Sequence, residues 1–258
     1  MADSIILQLA SELMKQHVPC ALCTVIKTSG SVPRHPGSKM LVSQDGGVVS
    51  GTIGGGAMES RVCEIAQSLI VSGKASTVKY QLSDPKSGDP GVCGGEVEVF
   101  IDPLLPTPIL LIIGAGHVGR ALTHLAKWSG FHVVVTDDRA DLCSPKQCPE
   151  ADDYICESIT VALQRVPLTA QTYVALVTRG YPIDVEILPF LIQSPVRYIG
   201  VIGSRRRWVT TSKALLDRGI SEADIARIHA PIGIEIAAET PEEIAVSIMA
   251  EVIGVYRS

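Results

Sequence analysis

Two glycine-rich turns carry most of the chemistry this sequence offers. The first reads Gly51-Thr52-Ile53-Gly54-Gly55-Gly56 and runs into Ala57-Met58-Glu59; the second reads Gly114-Ala115-Gly116-His117-Val118-Gly119. Turns of this composition bring backbone N–H groups close to a phosphate, and the helix that follows adds partial positive charge. Two of them in a chain of 258 residues point to a phosphorylated small molecule as the ligand. In the first turn, three consecutive glycines cost conformational entropy that a merely structural turn avoids. Thr52, Gly54, Gly55 and Gly56 are therefore candidate anion donors, the alternative being a loose crossover between a hairpin and a helix. In the second, Gly114, Gly116 and Gly119 follow an apolar run and open a helical pattern. Asp137 falls 18 residues after Gly119, close to the spacing at which an acid meets a ribose hydroxyl. The alternative here is that the glycines only permit tight strand–helix packing. Asp138 and Arg139 neither invite nor exclude an adenosine 2′-phosphate.

Other residue types extend the candidate site. Gly91-Val92-Cys93-Gly94-Gly95 sets a thiol among glycines, reactive if positive charge or N–H groups stabilise its thiolate. Cys63 and Cys156 read instead as small buried hydrophobes. Cys20 and Cys23 have CxxC spacing but no second pair to complete a zinc site, so they read as core or edge thiols and no metal site is expected. Ser204 and Arg205 open a helix with Arg206 and Arg207, a placement that opposes the helix dipole unless an anion is near. That favours Ser204 and Arg205 as ligand contacts over a solvated basic face. Thr178, Arg179 and Asp184 follow another strand, at the edge where doubly wound sheets bind ligands. His35, beside Arg34 and Lys39, and His117 are kept as candidates. No Ser/His/Asp set or pair of acids stands out, so no catalytic residue is assigned and hydrolase chemistry lacks support.

The elements that must position these residues follow from periodicity. With 46% hydrophobic residues the chain can fill one large core or two modest ones. Helical spacing covers residues 4–16 and 57–71; strands are expected at 21–27, 76–82 and 96–101, with a hairpin over 39–50 turning at Asp45-Gly46. These form a small α+β domain, residues 1–105, closed by Pro103, Pro106 and Pro108, which break every periodic pattern. Residues 106–258 alternate strands (109–113, 132–136, 154–156, 173–178, 198–202) with helices (117–128, 183–192, 205–217). The last helix opens at Thr240-Pro241-Glu242-Glu243 with a capping box. The expected class is α/β, with a carboxyl-terminal Rossmann-like doubly wound parallel sheet. A net charge of −5 and a pI of about 5.7 argue against nucleic acid as a partner. The amino terminus lacks the basic region of a signal peptide, and the apolar runs fall short of the ~20 residues of a membrane helix. Seven scattered cysteines suit reduced thiols, so a cytoplasmic protein without membrane contact is expected.

Taken together, the motifs resemble the xanthine dehydrogenase accessory-factor family, often called XdhC/CoxI. Gly30-Ser31-x-Pro33-Arg34-x-Pro36-Gly37, the first glycine turn through Glu59, and Cys93-Gly94-Gly95 resemble its amino-terminal domain. The second glycine turn, Tyr198-Ile199-Gly200-x-Ile202-Gly203-Ser204-Arg205, Ala230-Pro231-Ile232-Gly233 and Thr240-Pro241-Glu242-Glu243 resemble its Rossmann domain. The resemblance implies a maturation protein rather than a catalyst. It would bind the molybdenum cofactor (molybdopterin, in mononucleotide or dinucleotide form), support its sulfuration and hand it to a molybdenum hydroxylase such as xanthine dehydrogenase. A cysteine desulfurase and a second copy of the chain, as a homodimer, are the further partners implied. Carried over to this sequence, Cys93 contacts the cofactor or its sulfur, while Thr52, Gly54, Gly55 and Gly56 cradle its anionic parts. Two positions depart from the family pattern: residues 234–238 lack its usual glycine, and Tyr181 stands where related sequences often carry His. The competing readings are an NAD(P)-dependent oxidoreductase using the carboxyl-terminal domain, and a scaffold between client and desulfurase.

Overall fold

Successive side chains of a strand face opposite sides of its sheet, and β1 (Cys20–Ser29) uses both. Ala21, Cys23 and Val25 join one apolar cluster, whereas Cys20 and Leu22 join another. The computed structural model describes residues 2–82 and 94–258, in which two compact units, Met1–Pro106 and Thr107–Ser258, separate. In the first unit, β1 lies at the centre of an antiparallel sheet. Its neighbours are β2 (Lys39–Ser43), β3 (Val48–Gly51), β4 (Ser76–Gln81) and β5 (Glu96–Leu104), in the order β3-β2-β1-β5-β4. Helix α1 (Ala2–Lys15) packs Ile6 and Ala10 on one face, and α2 (Gly56–Ser72) packs Met58, Val62, Ala66 and Ile70 on the other. Gly73 ends α2 in the left-handed conformation (φ 67°), its amide bonded to the Leu69 carbonyl.

The second unit is built on β6 (Ile109–Ile113), whose five residues are all buried, as a strand covered on both faces requires. The six parallel strands run in the order β11-β10-β9-β6-β7-β8, with β7 (His132–Thr136), β8 (Asp153–Ile155), β9 (Thr172–Leu176), β10 (Tyr198–Val201) and β11 (Ile228–His229). This is the strand order of a dinucleotide-binding doubly wound sheet. Helices α3 (His117–Trp128) and α8 (Pro241–Arg257) pack on one face, through Leu122, Ala126, Ile248 and Val252. The other face carries α4 (Ile159–Arg165), α5 (Tyr181–Gln193) and α6 (Arg205–Asp217), through Ala162, Leu188, Leu191 and Leu215. A short α7 (Glu222–Ile225) precedes β11. The α/β class and the parallel sheet are as the sequence predicts; α4, α7 and β11 are additions to it. Among the described residues no helix is long and apolar enough to cross a membrane.

Candidate functional site

The first glycine turn joins β3 to α2, with Gly54 and Gly55 at φ +141° and +81°. Such angles line up consecutive amides into a concave nest for an anion. The anion is supplied from inside the protein. Glu59, in the first turn of α2, accepts through Oε1 from the amides of Gly55 (2.8 Å), Ile53 (2.9 Å) and Gly54 (3.1 Å). The Thr52 hydroxyl donates to the same oxygen. Burial alone would raise the Glu59 pKa, but the Thr52 hydroxyl and these amides outweigh it and hold the carboxyl below its usual range. The exposed donors expected at Thr52, Gly54 and Gly55 are therefore corrected to an internally satisfied nest, their hydroxyl and amides all turned to Glu59. Gly54 is also tight, since a Cβ there would meet Pro33 at 2.7 Å, whereas Gly55 and Gly56 face open space.

The second turn divides its glycines between packing and access. A Cβ on Gly119 would lie 1.9 Å from the Gly114 carbonyl oxygen, and one on Gly114 would lie 2.6 Å from that of Val177. Both are needed for close approach of α3 to the sheet. Gly116 has nothing within 4 Å of such an atom, and α3 has no side-chain cap on its first-turn amides. Among the described residues no side chain caps this helix end, so its first-turn amides are free of side-chain acceptors. Asp137, expected beside a ribose, is 3% exposed and spent elsewhere. It accepts from the Ala115 amide (2.8 Å), and the Arg139 guanidinium grips both its oxygens at 2.8 Å. Burial opposes this, but the Arg139 and Ala115 hydrogen bonds hold its carboxyl well below the usual range.

A third internal carboxylate answers the arginines of α6. Asp184, fully buried in α5, accepts from Arg207 Nε (3.0 Å) and Nη2 (2.6 Å) and from the Thr178 hydroxyl (2.5 Å). Arg207 also donates to the Thr178 carbonyl at 3.2 Å, so the cluster locks the end of β9 to two helices. Ser204, predicted as a ligand contact, serves as the N-cap of α6 by accepting from the Arg207 amide at 3.3 Å. The opposing charge read from three adjacent arginines is thereby cut to Arg205 and Arg206.

Among the described residues, the carboxyl edge of the parallel sheet borders cavities of two sizes. One, beside Gly114, Asp137, Arg139 and Thr178, measures only about 20 Å³, and the Arg179–Asp138 ion pair borders it. The other, about 440 Å³, is formed by Gly203, Arg205, Gly233, Ile234, Glu235 and Ile236. Ligand sites generally need roughly 300 Å³ or more, so the second reaches ligand size and the first does not. Glu251 braces its wall, accepting from the Gly233 amide at 2.8 Å and bonding Tyr198 and His229. Sequence reading missed Glu251, whose partners lie 18 to 53 residues away.

The remaining candidates are dispersed. Cys93 lies outside the described residues. His117 borders a separate cavity of about 590 Å³ with Arg120, His124 and Glu242. His35 is exposed, and Lys39 pairs with Asp3 instead. Cys20 and Cys23 are buried on opposite faces of β1, and burial pushes them up to about 11 and about 12. Cys156 is exposed, correcting its reading as a buried hydrophobe. Among the described residues no group of three or more His, Cys, Asp or Glu side chains could hold a metal ion.

A doubly wound parallel sheet in this strand order, with a cavity on its carboxyl edge, defines a Rossmann-like α/β class. Family comparisons narrow this: the XdhC Rossmann domain matches residues 110–252, and the XdhC and CoxI family matches residues 13–81. The chain belongs to the XdhC family. It is 35% identical over 250 residues to the uncharacterized protein YqeB of Escherichia coli (strain K12), covering 95% of this chain and 45% of that one. It is also 35% identical over 155 residues to a probable xanthine dehydrogenase subunit of Bacillus subtilis (strain 168), covering 60% of this chain and 45% of that protein. The chain thus spans less than half the length of these two relatives. Similarity to the E. coli molybdenum cofactor insertion chaperone PaoD is lower, 22%, but covers 97% of this chain and 87% of that protein. A solved structure described as a xanthine dehydrogenase from Bacillus halodurans is 25% identical, with a TM-score of 0.53 and coverage of 98% and 96%.

Proposed function

We propose that this protein is an accessory factor that receives the molybdenum cofactor, supports its sulfuration and delivers it to a molybdenum hydroxylase of the xanthine dehydrogenase type. The observation that carries this reading is similarity along both units to a protein described as a molybdenum cofactor insertion chaperone, beside this chain's own XdhC family matches. The cofactor is cargo here, and its redox chemistry belongs to the client. The residues fit such a cargo unevenly. The uncapped start of α3 at Gly116 suits its phosphate, with Gly114 and Gly119 setting that turn. Arg205, beside the 440 Å³ cavity, supplies a cation for a further anionic group. The nest at residues 52–55 is already filled by Glu59, so a cargo would meet only the open faces of Gly55 and Gly56. Cys93 remains the proposed contact to the sulfur-bearing end. A cysteine desulfurase as sulfur source, a homodimer and a cytoplasmic setting complete the reading.

The strand order favours a second reading, a nicotinamide-dependent oxidoreductase. Conventional binding would require Arg139 and Arg179 to leave their acid partners and open the 20 Å³ crevice. A thermal-shift panel of NAD, NADP, CMP and the isolated molybdenum cofactor separates the two. The carrier reading expects the largest upward shift with the molybdenum cofactor. A shift with NAD or NADP alone would overturn it in favour of the oxidoreductase.

A further inference from the structure

Strands β7 and β8 pair with Thr136 opposite Ile155, and the Thr136 hydroxyl donates to the Ile155 carbonyl at 2.8 Å. Cys156 comes next in the chain. After β7 the backbone closes one helical turn, the Cys143 amide donating to the Arg139 carbonyl at 3.1 Å. That turn brings Cys143 back over the end of β8. The Cys156 thiol donates to the Cys143 carbonyl oxygen, while the Cys143 thiol lies beneath it against the Val135 carbonyl oxygen at 3.7 Å. Their exposures differ sharply: Cys143 is 2% exposed, whereas Cys156 faces solvent. An accessible thiol beside a shielded one is the arrangement in which the first reacts and the second resolves.

We propose that Cys143 and Cys156 are a redox-active pair that closes to an internal disulfide on reaction with small-molecule disulfides. In the first step the Cys156 thiolate attacks one sulfur of the reagent, forming a mixed disulfide and releasing one reagent thiolate. Cys143 then gives its proton to solvent and attacks the Cys156 sulfur, releasing the second reagent thiol. Two protein thiols are oxidised to one disulfide, and one reagent disulfide is reduced to two thiols. Burial pushes the Cys143 thiol up to about 12, so the second step is the slow one. The new bond would tie the turn 139–143 to the end of β8. That turn carries Arg139, whose guanidinium holds Asp137 at the crevice, so the pair's oxidation state bears directly on the site.

The test uses the full chain, fully reduced and then exposed to oxidised glutathione. Remaining thiols are alkylated, and the digest is mapped by mass spectrometry. Glutathione is expected first on Cys156, followed by a crosslink between the Cys143 and Cys156 peptides that dithiothreitol reverses. Cys156→Ser, at an exposed position, should abolish both species with an unchanged circular dichroism spectrum. Cys143→Ser should accumulate the Cys156 adduct. A Cys156 adduct in the unaltered protein that never converts to the crosslink would overturn the proposal. So would a crosslink to Cys148.

Discussion

Glu59 gathers four donors on one oxygen, so its two simplest substitutions separate charge from shape. Glu59→Gln keeps an acceptor for the nest and should cost about 1 kcal/mol; Glu59→Ala leaves the amides unmet and should cost about 2–3 kcal/mol. Because the folded carboxyl is held below its usual range, its contribution is fully present above the ordinary carboxylate value. It is lost as pH falls through the lowered folded value. The stability gap between the unaltered protein and Glu59→Gln, followed by urea denaturation, should therefore close in strong acid; a constant gap would contradict the nest. Asp184 poses a harsher case. Removing it as Asp184→Ala strands the mostly buried Arg207 and should cost about 3–5 kcal/mol in the same assay. At this scale the sequence was half legible. Glycine composition and adjacent arginines announced donors, but nothing in one dimension showed that Glu59, Asp137 and Asp184 would answer them. The Asp184–Arg207 pair spans 23 residues and two helices, a relation set by packing rather than by motif.

At the scale of elements, the second glycine turn offers a paired test of packing against access. Gly119→Ala forces a methyl group against the Gly114 carbonyl and should destabilise the protein by about 1–3 kcal/mol. Gly116 sits at φ −70°, which any residue adopts, with open space around it. Gly116→Ala should thus leave the thermal midpoint unchanged while weakening binding of an anionic ligand at α3. Equal stability losses for the two would mean that the turn serves packing alone. The capping box of α8, with Thr240 accepting from the Glu243 amide at 3.2 Å, was readable directly from Thr-Pro-Glu-Glu. Thr240→Ala should cost about 1 kcal/mol, seen as a lowered denaturation midpoint. By contrast, β11 has two residues, α7 four and α4 seven, all too short to display a period above the noise of neighbouring loops.

For the whole molecule, the change from irregular strands to strict strand–helix alternation foretold two kinds of sheet, because a strand buried on both faces must be apolar throughout. What composition could not convey is how much of the anion-binding capacity is already used by internal carboxylates. That leaves fewer open candidates than the motifs suggest: Gly55 and Gly56 in the first unit and, separately, the open end of α3 and Arg205 beside its cavity in the second. The carrier reading asks the protein to hold a molybdenum-bearing pterin firmly enough to survive isolation. The direct measurement is anaerobic purification from a host that makes the cofactor, with pterin quantified by fluorescence after oxidation and molybdenum by mass spectrometry. The account predicts both in near-equal amounts, reduced in Gly116→Ala. Protein that is folded and free of pterin and molybdenum under those conditions would contradict it.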